Sequence, residues 1–159
     1  MVEFRIVPLG GLGRIGGNLM IYETVADIVI VDCGVQFPGP LEPGLDWLIP
    51  DVSYLYEKKD KIRAYLITHA HLDHIGALPF VLQDFPAPIY ATPFTKAMIH
   101  KQLKECELDA DIRDYPNRGQ LFLGSFQVEA LAVTHSIPGA VSLAIETPLG
   151  KIVHTGDFK

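Results

Sequence analysis

Apolar residues along this chain fall into short runs with two rhythms. Positions 3–9 (EFRIVPL), 18–24 (NLMIYET) and 27–32 (DIVIVD) alternate or run continuously apolar and are rich in β-branched residues, which predicts strands. Only Val25 and Ala26 separate the second and third runs, so these should pair as a hairpin. Positions 37–50 hold four prolines and two glycines and read as a loop. Asp51 can cap a short helix over 52–59, and 61–68 (KIRAYLIT) is a further buried strand that runs straight into HAHLDH. The stretch 75–84 reads as helical, with Pro79 confined to its first turn. A short strand over 88–92 precedes the strongest helix, 94–107, whose Phe94, Ala97, Met98 and Leu103 fall towards one side. Alternation returns over 125–134, and strands over 141–147 and 151–155 are joined by a Pro-Leu-Gly turn. Strands interleaved with helices predict an α/β fold.

One segment carries a misleading signature. GLGRIG, Gly11 to Gly16, follows an apolar run and fits the glycine fingerprint of a dinucleotide-binding unit, with Asp32 ending the next β-branched run. That unit needs a helix of several turns after the glycines, because the pyrophosphate rests on its N-terminus. Here the next residues include Asn18, Ile21, Tyr22 and Thr24, poor helix formers as a set, and they lead directly into the hairpin. The glycines are therefore read as a loop between strands. It either lines a groove that a phosphate passes or serves as a compact turn needing positive φ.

Composition narrows the class. At 159 residues the chain suits one domain, and 48% hydrophobic with 20% charged residues is ordinary for a globular protein. No run reaches the roughly 18 apolar residues of a membrane span, and no basic segment precedes an apolar core at the start, so neither a membrane nor a signal peptide is expected. Cys33 and Cys106 make no disulfide framework and fit a reduced, cytoplasmic compartment, with Cys33 as a small buried apolar residue. The net charge of −6 by itself argues against a nucleic-acid binder, although bound divalent metals and local patches alter that balance.

Metals are what the chemistry-bearing residues suggest. His69, His71, Asp73 and His74 fall within six positions, H-x-H-x-D-H, at the end of a buried strand. Imidazoles and a carboxylate on such a turn suit zinc, with manganese or iron next. Two ligand pairs on one turn point to two ions, His69 and His71 serving one, Asp73 and His74 the other. His135 and Asp157 each follow a strand end, where loops from one sheet edge should converge, and Asp157 can bridge the two ions. His100 reads as a surface residue and His154 as a support of the fold. Asp32 either orients the histidine loop or caps its strand.

With these residues in place, HAHLDH, His135 and the Asp157 of TGDFK resemble the metallo-β-lactamase superfamily, and Asp32 in IVIVDCG matches its first motif. GGLGRIGGN, VDCGVQFP, LDWLIPDVSYL, THAHLDHIGALPFVL and THSIPGAVSLAIETPLGKIVHTGDFK are similar to segments of ribonuclease J, a bacterial nuclease of the β-CASP group. The resemblance implies an αββα sandwich of mixed, mostly antiparallel sheets with flanking helices, of which residues 1–159 are an incomplete, N-terminal metallo-β-lactamase domain. It implies that His69, His71 and His135 bind a first zinc, Asp73 and His74 a second, and Asp157 bridges them. Asp73 and His74 then stand at the catalytic centre, Asp73 exchanging a proton as activated water attacks an RNA phosphorus. The implied activity is RNA hydrolysis, 5′-to-3′ and internal, in RNA processing and decay, with Zn2+ or Mn2+ as cofactor, and with a homo-oligomer as the full-length state.

Departures from the family pattern are also visible. The family completes its second metal site with a late histidine, and no candidate follows Asp157; the β-CASP and C-terminal parts are absent. These 159 residues alone are therefore expected to be inactive. Arg14 stands where the family usually carries an acidic residue, which leaves the role of charge in that loop open. Another hydrolase on the same scaffold, such as a thioester hydrolase, and a non-catalytic metal-binding remnant are the alternatives.

Overall fold

Three short apolar strands begin the fold. In the computed structural model, which describes residues 3–40, 42–117 and 119–159, β1 (Phe4–Gly10), β2 (Leu19–Thr24) and β3 (Ile28–Val31) form an antiparallel meander, with Met20 opposite Val31 and Tyr22 opposite Val29. The expected hairpin is thus present, and a strand, not a helix, follows the glycine loop. β4 (Ile62–Leu66), β5 (Ile89–Ala91) and β6 (Ile112–Asp114) add to β3 in parallel, giving one six-stranded sheet in chain order. A second, antiparallel sheet runs β10 (Gly150–His154), β9 (Val141–Thr147), β8 (Phe126–Ala132), β7 (Leu121–Leu123). Sheets are therefore mixed and mostly antiparallel, as expected.

The pleat sends alternate residues of each central strand into different cores. Ile28, Ile30, Tyr65 and Ile67 face the helices, against Leu78, Val81, Phe85, Ile99 and Leu103. Val29, Val31, Ala64 and Leu66 face the second sheet, against Phe126, Val128, Leu143 and Ile145. Burial on both faces is why DIVIVD and KIRAYLIT read as continuous apolar runs. Among the described residues the layers are helix, sheet, sheet.

Several predicted elements shift. The helix expected over 75–84 is split into α1 (Leu72–Ile75) and α2 (Leu78–Asp84). Pro79 sits in the first turn of α2 as expected, and the break arises because the Ala77 N–H bonds the Cys33 carbonyl at 2.9 Å. The short helix over 52–59 is a 3₁₀ stretch, Ser53–Lys61, entered through an Asp51 carboxylate that accepts the Ser53 N–H at 2.9 Å. In α3 (Pro93–Glu105) the inward face is Thr95, Ile99 and Leu103, whereas Phe94, Ala97 and Met98 are exposed. The parallel crossover from β5 to β6 fixes that helix's rotation, and the apolar pattern does not report it. The strand expected over 125–134 is β8, and β6 and β7 have no counterpart among the predicted elements. Leu41, inside the predicted 37–50 loop, lies outside the described residues.

β3 is anchored at both ends by carboxylates. At its start Asp27 accepts from Arg63 Nε at 2.5 Å and from the Ser125 N–H and hydroxyl, both at 2.8 Å, tying the two sheets together. Beyond its end, residues 33–35 run against the α1 turn: the Cys33 N–H bonds the His74 carbonyl at 2.7 Å and Val35 N–H the Leu72 carbonyl at 3.1 Å. Gly34 lies between them with no space for a side chain. A methyl there would lie 1.6 Å from the Asp73 carbonyl oxygen. Gly34→Ala is expected to destabilise the protein by about 1–3 kcal/mol or more through overpacking, read as a lower urea midpoint. An unchanged midpoint would show that the turn yields freely.

Candidate metal centre

The sequence-predicted ligands come from the ends of three strands. His69, His71, Asp73 and His74 follow β4, His135 follows β8, and Asp157 follows β10. β4 belongs to the first sheet and β8 and β10 to the second. The residues therefore meet where the ends of two sheets face each other, not along one sheet edge as the spacing suggested.

Asp32 holds the arrangement. Its φ is +60°, a conformation that Asp tolerates better than most residues, and its side chain is fully buried. The carboxylate accepts the Thr68 N–H at 2.8 Å, the Thr68 hydroxyl at 2.9 Å and the His74 Nδ1–H at 2.8 Å. That last bond fixes the His74 tautomer and leaves its Nε2 lone pair facing the site. The Thr68 oxygen also accepts from His69 Nδ1 at 3.0 Å, so the His69 Nε2 lone pair faces the site as well. Of the two readings open for Asp32, the orienting one matches these contacts.

The nitrogens converge closely. His69 Nε2 and His71 Nδ1 are 3.0 Å apart, and His71 Nδ1 and His135 Nε2 are 3.2 Å apart. Ligands about 2.0–2.1 Å from a tetrahedral ion stand roughly 3.3 Å from one another, so this spacing suits a cation shared by the three rings. A neutral imidazole has one N–H, so the ring nitrogens cannot all satisfy each other, and the buried His135 Nδ1 has no partner among the described residues. His69, His74 and Asp157 form a second group able to hold an ion. Asp157 lies between the groups, with Oδ1 3.7 Å from His74 Nε2 and Oδ2 3.8 Å from His135 Nε2. Asp73 belongs to neither tight group, but its Oδ2 is 3.6 Å from His74 Nε2.

Asn18 was missed by the sequence reading. As the last residue of the glycine loop, its amide donates to the Asp73 carbonyl at 3.0 Å, to Asp73 Oδ2 at 3.3 Å and to His74 Nε2 at 3.0 Å. The only signal was a polar amide directly before an apolar strand. His154 does support the fold, its Nδ1 2.9 Å from the Tyr22 hydroxyl, but its Nε2 also comes within 4.0 Å of Asp32. His100 is exposed on α3 and takes no part. Cys33 is buried, and burial with the neighbouring Asp32 charge pushes its thiol far up, so it is inert.

Burial and the neighbouring His74 hold the His69 imidazole down to about 4, and burial also lowers His71 and His154. For His74, burial opposes the charged form, but the Asp32 charge and hydrogen bond outweigh it and raise its pKa. Burial likewise opposes ionisation of Asp32, and His74 outweighs it, so this carboxyl lies below its usual range. In the unfolded chain histidine titrates near 6.5, so on acidification the unfolded state takes up protons that folded His69 refuses. That stability is complete above about pH 6.5 and is lost as pH falls towards 4; His74 acts in the opposite sense. Thermal melts in chelator are therefore expected to show a midpoint that drops from pH 7 to pH 4, with a shallower drop in His69→Gln. A flat midpoint across that window would contradict the burial argument.

Comparison with known proteins agrees with this geometry. The family model described as the metallo-beta-lactamase superfamily matches residues 12–159. Ribonuclease J of Helicobacter pylori (strain ATCC 700392 / 26695) is 45% identical over 159 residues, covering 98% of this chain and 23% of that protein. Ribonuclease J of Mycolicibacterium smegmatis is 42% identical over 156 residues, covering 98% and 28%. The chain thus spans about a quarter of the length of these curated relatives. Among solved structures, a protein of unknown function from Enterococcus faecalis V583 superposes with a TM-score of 0.78 at 23% identity, covering 98% of this chain and 44% of that one. Human tRNase Z, short form, superposes with a TM-score of 0.60 at 17% identity, covering 96% and 68%. These two likenesses speak to the fold alone. Fold, converging ligand set and family match together establish that this chain belongs to the metallo-beta-lactamase superfamily.

Proposed function

We propose that this chain is the metal-binding part of a ribonuclease that hydrolyses RNA phosphodiesters, as a 5′-to-3′ exonuclease with endonuclease activity, in RNA processing and decay. The observation that carries the reading is the convergence of imidazoles and carboxylates from three strand ends on one pocket. It is supported by 42–45% identity, along almost the whole chain, to proteins named ribonuclease J. Their length relative to this chain supports assigning residues 1–159 to the N-terminal metallo-β-lactamase portion, with the β-CASP and C-terminal parts lying outside it. We assign the protein to the cytoplasm, acting as a homo-oligomer at full length; among the described residues no helix is long and apolar enough to cross a membrane.

His69, His71 and His135 would hold one ion, Asp73 and His74 a second, and Asp157 would bridge them, with zinc the assigned metal and manganese the substitute. When bound, such ions lower the pKa of water and withdraw charge from phosphate oxygens. The chain's own residues do the rest. Asp32 fixes His74 directly and His69 through Thr68, so both rings turn their Nε2 atoms toward the site; binding an ion at His74 requires only that the Asn18 amide release that nitrogen. Asn18 holds the Asp73 carboxylate beside His74, at the position from which it can take a proton from the attacking water or return one to the leaving oxygen. With a net charge of −6, approach of a polyanion depends on the positive charge the ions bring.

The test is hydrolysis of a 5′-monophosphorylated RNA by the protein at natural length, with and without chelator, beside Asp157→Ala. Chelator-sensitive cleavage that falls at least about a hundredfold in Asp157→Ala is the expected result. Residues 1–159 expressed alone should leave the RNA uncut. A protein that binds metal and cleaves thioesters while sparing RNA would overturn the assignment.

A further inference from the structure

The glycine loop separates two cavities. One, of about 280 Å³, is the groove containing Asp32, His74, His154 and Asp157. The other, of about 410 Å³, lies on the opposite side of the loop and is walled by Leu12, Leu48, Ile49 and Pro50, with Arg14 and Gln36 at its rim. Residues 10–12 line both. At Gly10 and Gly11 this dividing wall is bare backbone, and there it has to be. A side-chain carbon on Gly10 would lie 2.1 Å from the Gly17 carbonyl oxygen, and one on Gly11 would lie 2.5 Å from Asn18 Oδ1. The loop therefore folds its two arms together at Gly10 and Gly11.

Arg14 supplies the charge. Among the described residues, most other arginines and several lysines are matched to carboxylates: Arg5 to Glu3, Lys58 to Glu23, Arg63 to Asp27, Lys96 to Asp114, Arg113 to Asp111 and Lys151 to Glu146. Arg14 instead donates to a neutral acceptor, Gln36 Oε1, at 2.9 Å, which steers the guanidinium and leaves it without an ion-pair partner among the described residues. Among the described residues it is the one Lys or Arg lining either cavity. Asp51 also lines this pocket as an ionised carboxylate, held in that form by the Ser53 N–H, but it is not paired with Arg14. An apolar slot with a steered guanidinium at its rim matches a nucleotide, base against Leu48, Ile49 and Pro50, phosphate against Arg14.

We propose that this pocket is a subsite for a nucleotide of single-stranded RNA flanking the phosphate held at His74 and Asp157, with Arg14 as its phosphate contact and Gln36 as the residue that positions Arg14. The proposal rests on the ribonuclease reading above. It extends the phosphate-groove reading of the glycine loop from a wall to a defined pocket with a named cation.

The test uses the metal-loaded protein at natural length and a 5′-monophosphorylated ten-nucleotide RNA. Wild type, Arg14→Ala, Arg14→Lys and Gln36→Ala are compared, with Lys101→Ala on the exposed face of α3 as a control of equal charge change. Arg14→Ala is expected to raise KM about tenfold with kcat within about twofold, and to reduce the slope of log affinity against log salt by about 0.7, one phosphate contact to a single strand. Arg14→Lys should retain the salt slope with an intermediate KM, Gln36→Ala should raise KM with the salt slope kept, and Lys101→Ala should match wild type. If wild type cleaves in a chelator-sensitive way but Arg14→Ala keeps the wild-type KM and salt slope, the subsite is overturned and the ribonuclease reading stands. A loss confined to kcat would also overturn it, since that places Arg14 at the reacting phosphate. If wild type neither binds nor cleaves the RNA, both fall.

Discussion

The Asp32 carboxylate, buried at the end of β3, is the interaction on which the site depends. An ionised group without water must be matched by donors, and this one is matched by the Thr68 N–H and hydroxyl and by the His74 imidazole. Each donor belongs to the segment that leaves β4, so satisfying the charge also fixes that segment's path. His74 is turned directly and His69 through Thr68. Removing one partner would leave an uncompensated buried group, a loss typically about 3–5 kcal/mol, which explains why the turn has so little freedom.

The same strand is fastened at its other end. Asp27 gathers Arg63 from the start of β4 and Ser125 from the turn before β8, so a carboxylate at each end of β3 holds β4 in place, and the first also joins the sheets. Between them, alternate side chains fill two separate cores. The framework therefore delivers the ends of β4, β8 and β10 to one place, and the loops beyond them carry the histidines and Asp157. Rigid strand ends with short loops suit a site whose ligands must agree to within about half an ångström.

Local pattern revealed much of this. The strands over 18–24, 27–32, 61–68 and 141–147 were legible because each is buried on at least one face and so carries a strong apolar rhythm. H-x-H-x-D-H was legible because four ligand-type residues in six positions on a strand end have few other uses. Local pattern could not supply the relation between distant segments. It assigned the ligands to one sheet edge because nothing local says that β8 and β10 form a second sheet. It turned α3 towards Phe94 and Met98 because the crossover that sets the helix's rotation is a tertiary fact. It missed Asn18, whose role exists only once the glycine loop folds against Asp73 and His74. The composition of residues 17–24 pointed to a strand after the glycines, and β2 is that strand, yet the place of the loop between two cavities required the fold.

The central claim is that the converging strand-end residues form a centre for two metal ions. Diffraction from crystals of the zinc-loaded protein at natural length, recorded at the zinc absorption edge, tests it most directly. The account predicts two anomalous peaks in the cluster, one about 2.0–2.2 Å from nitrogens of His69, His71 and His135 and the other at the same range from His74 and a carboxylate oxygen, with Asp157 touching both. Zinc bound elsewhere on the protein while these residues remain bare, or hydrogen-bonded only to one another, would contradict it.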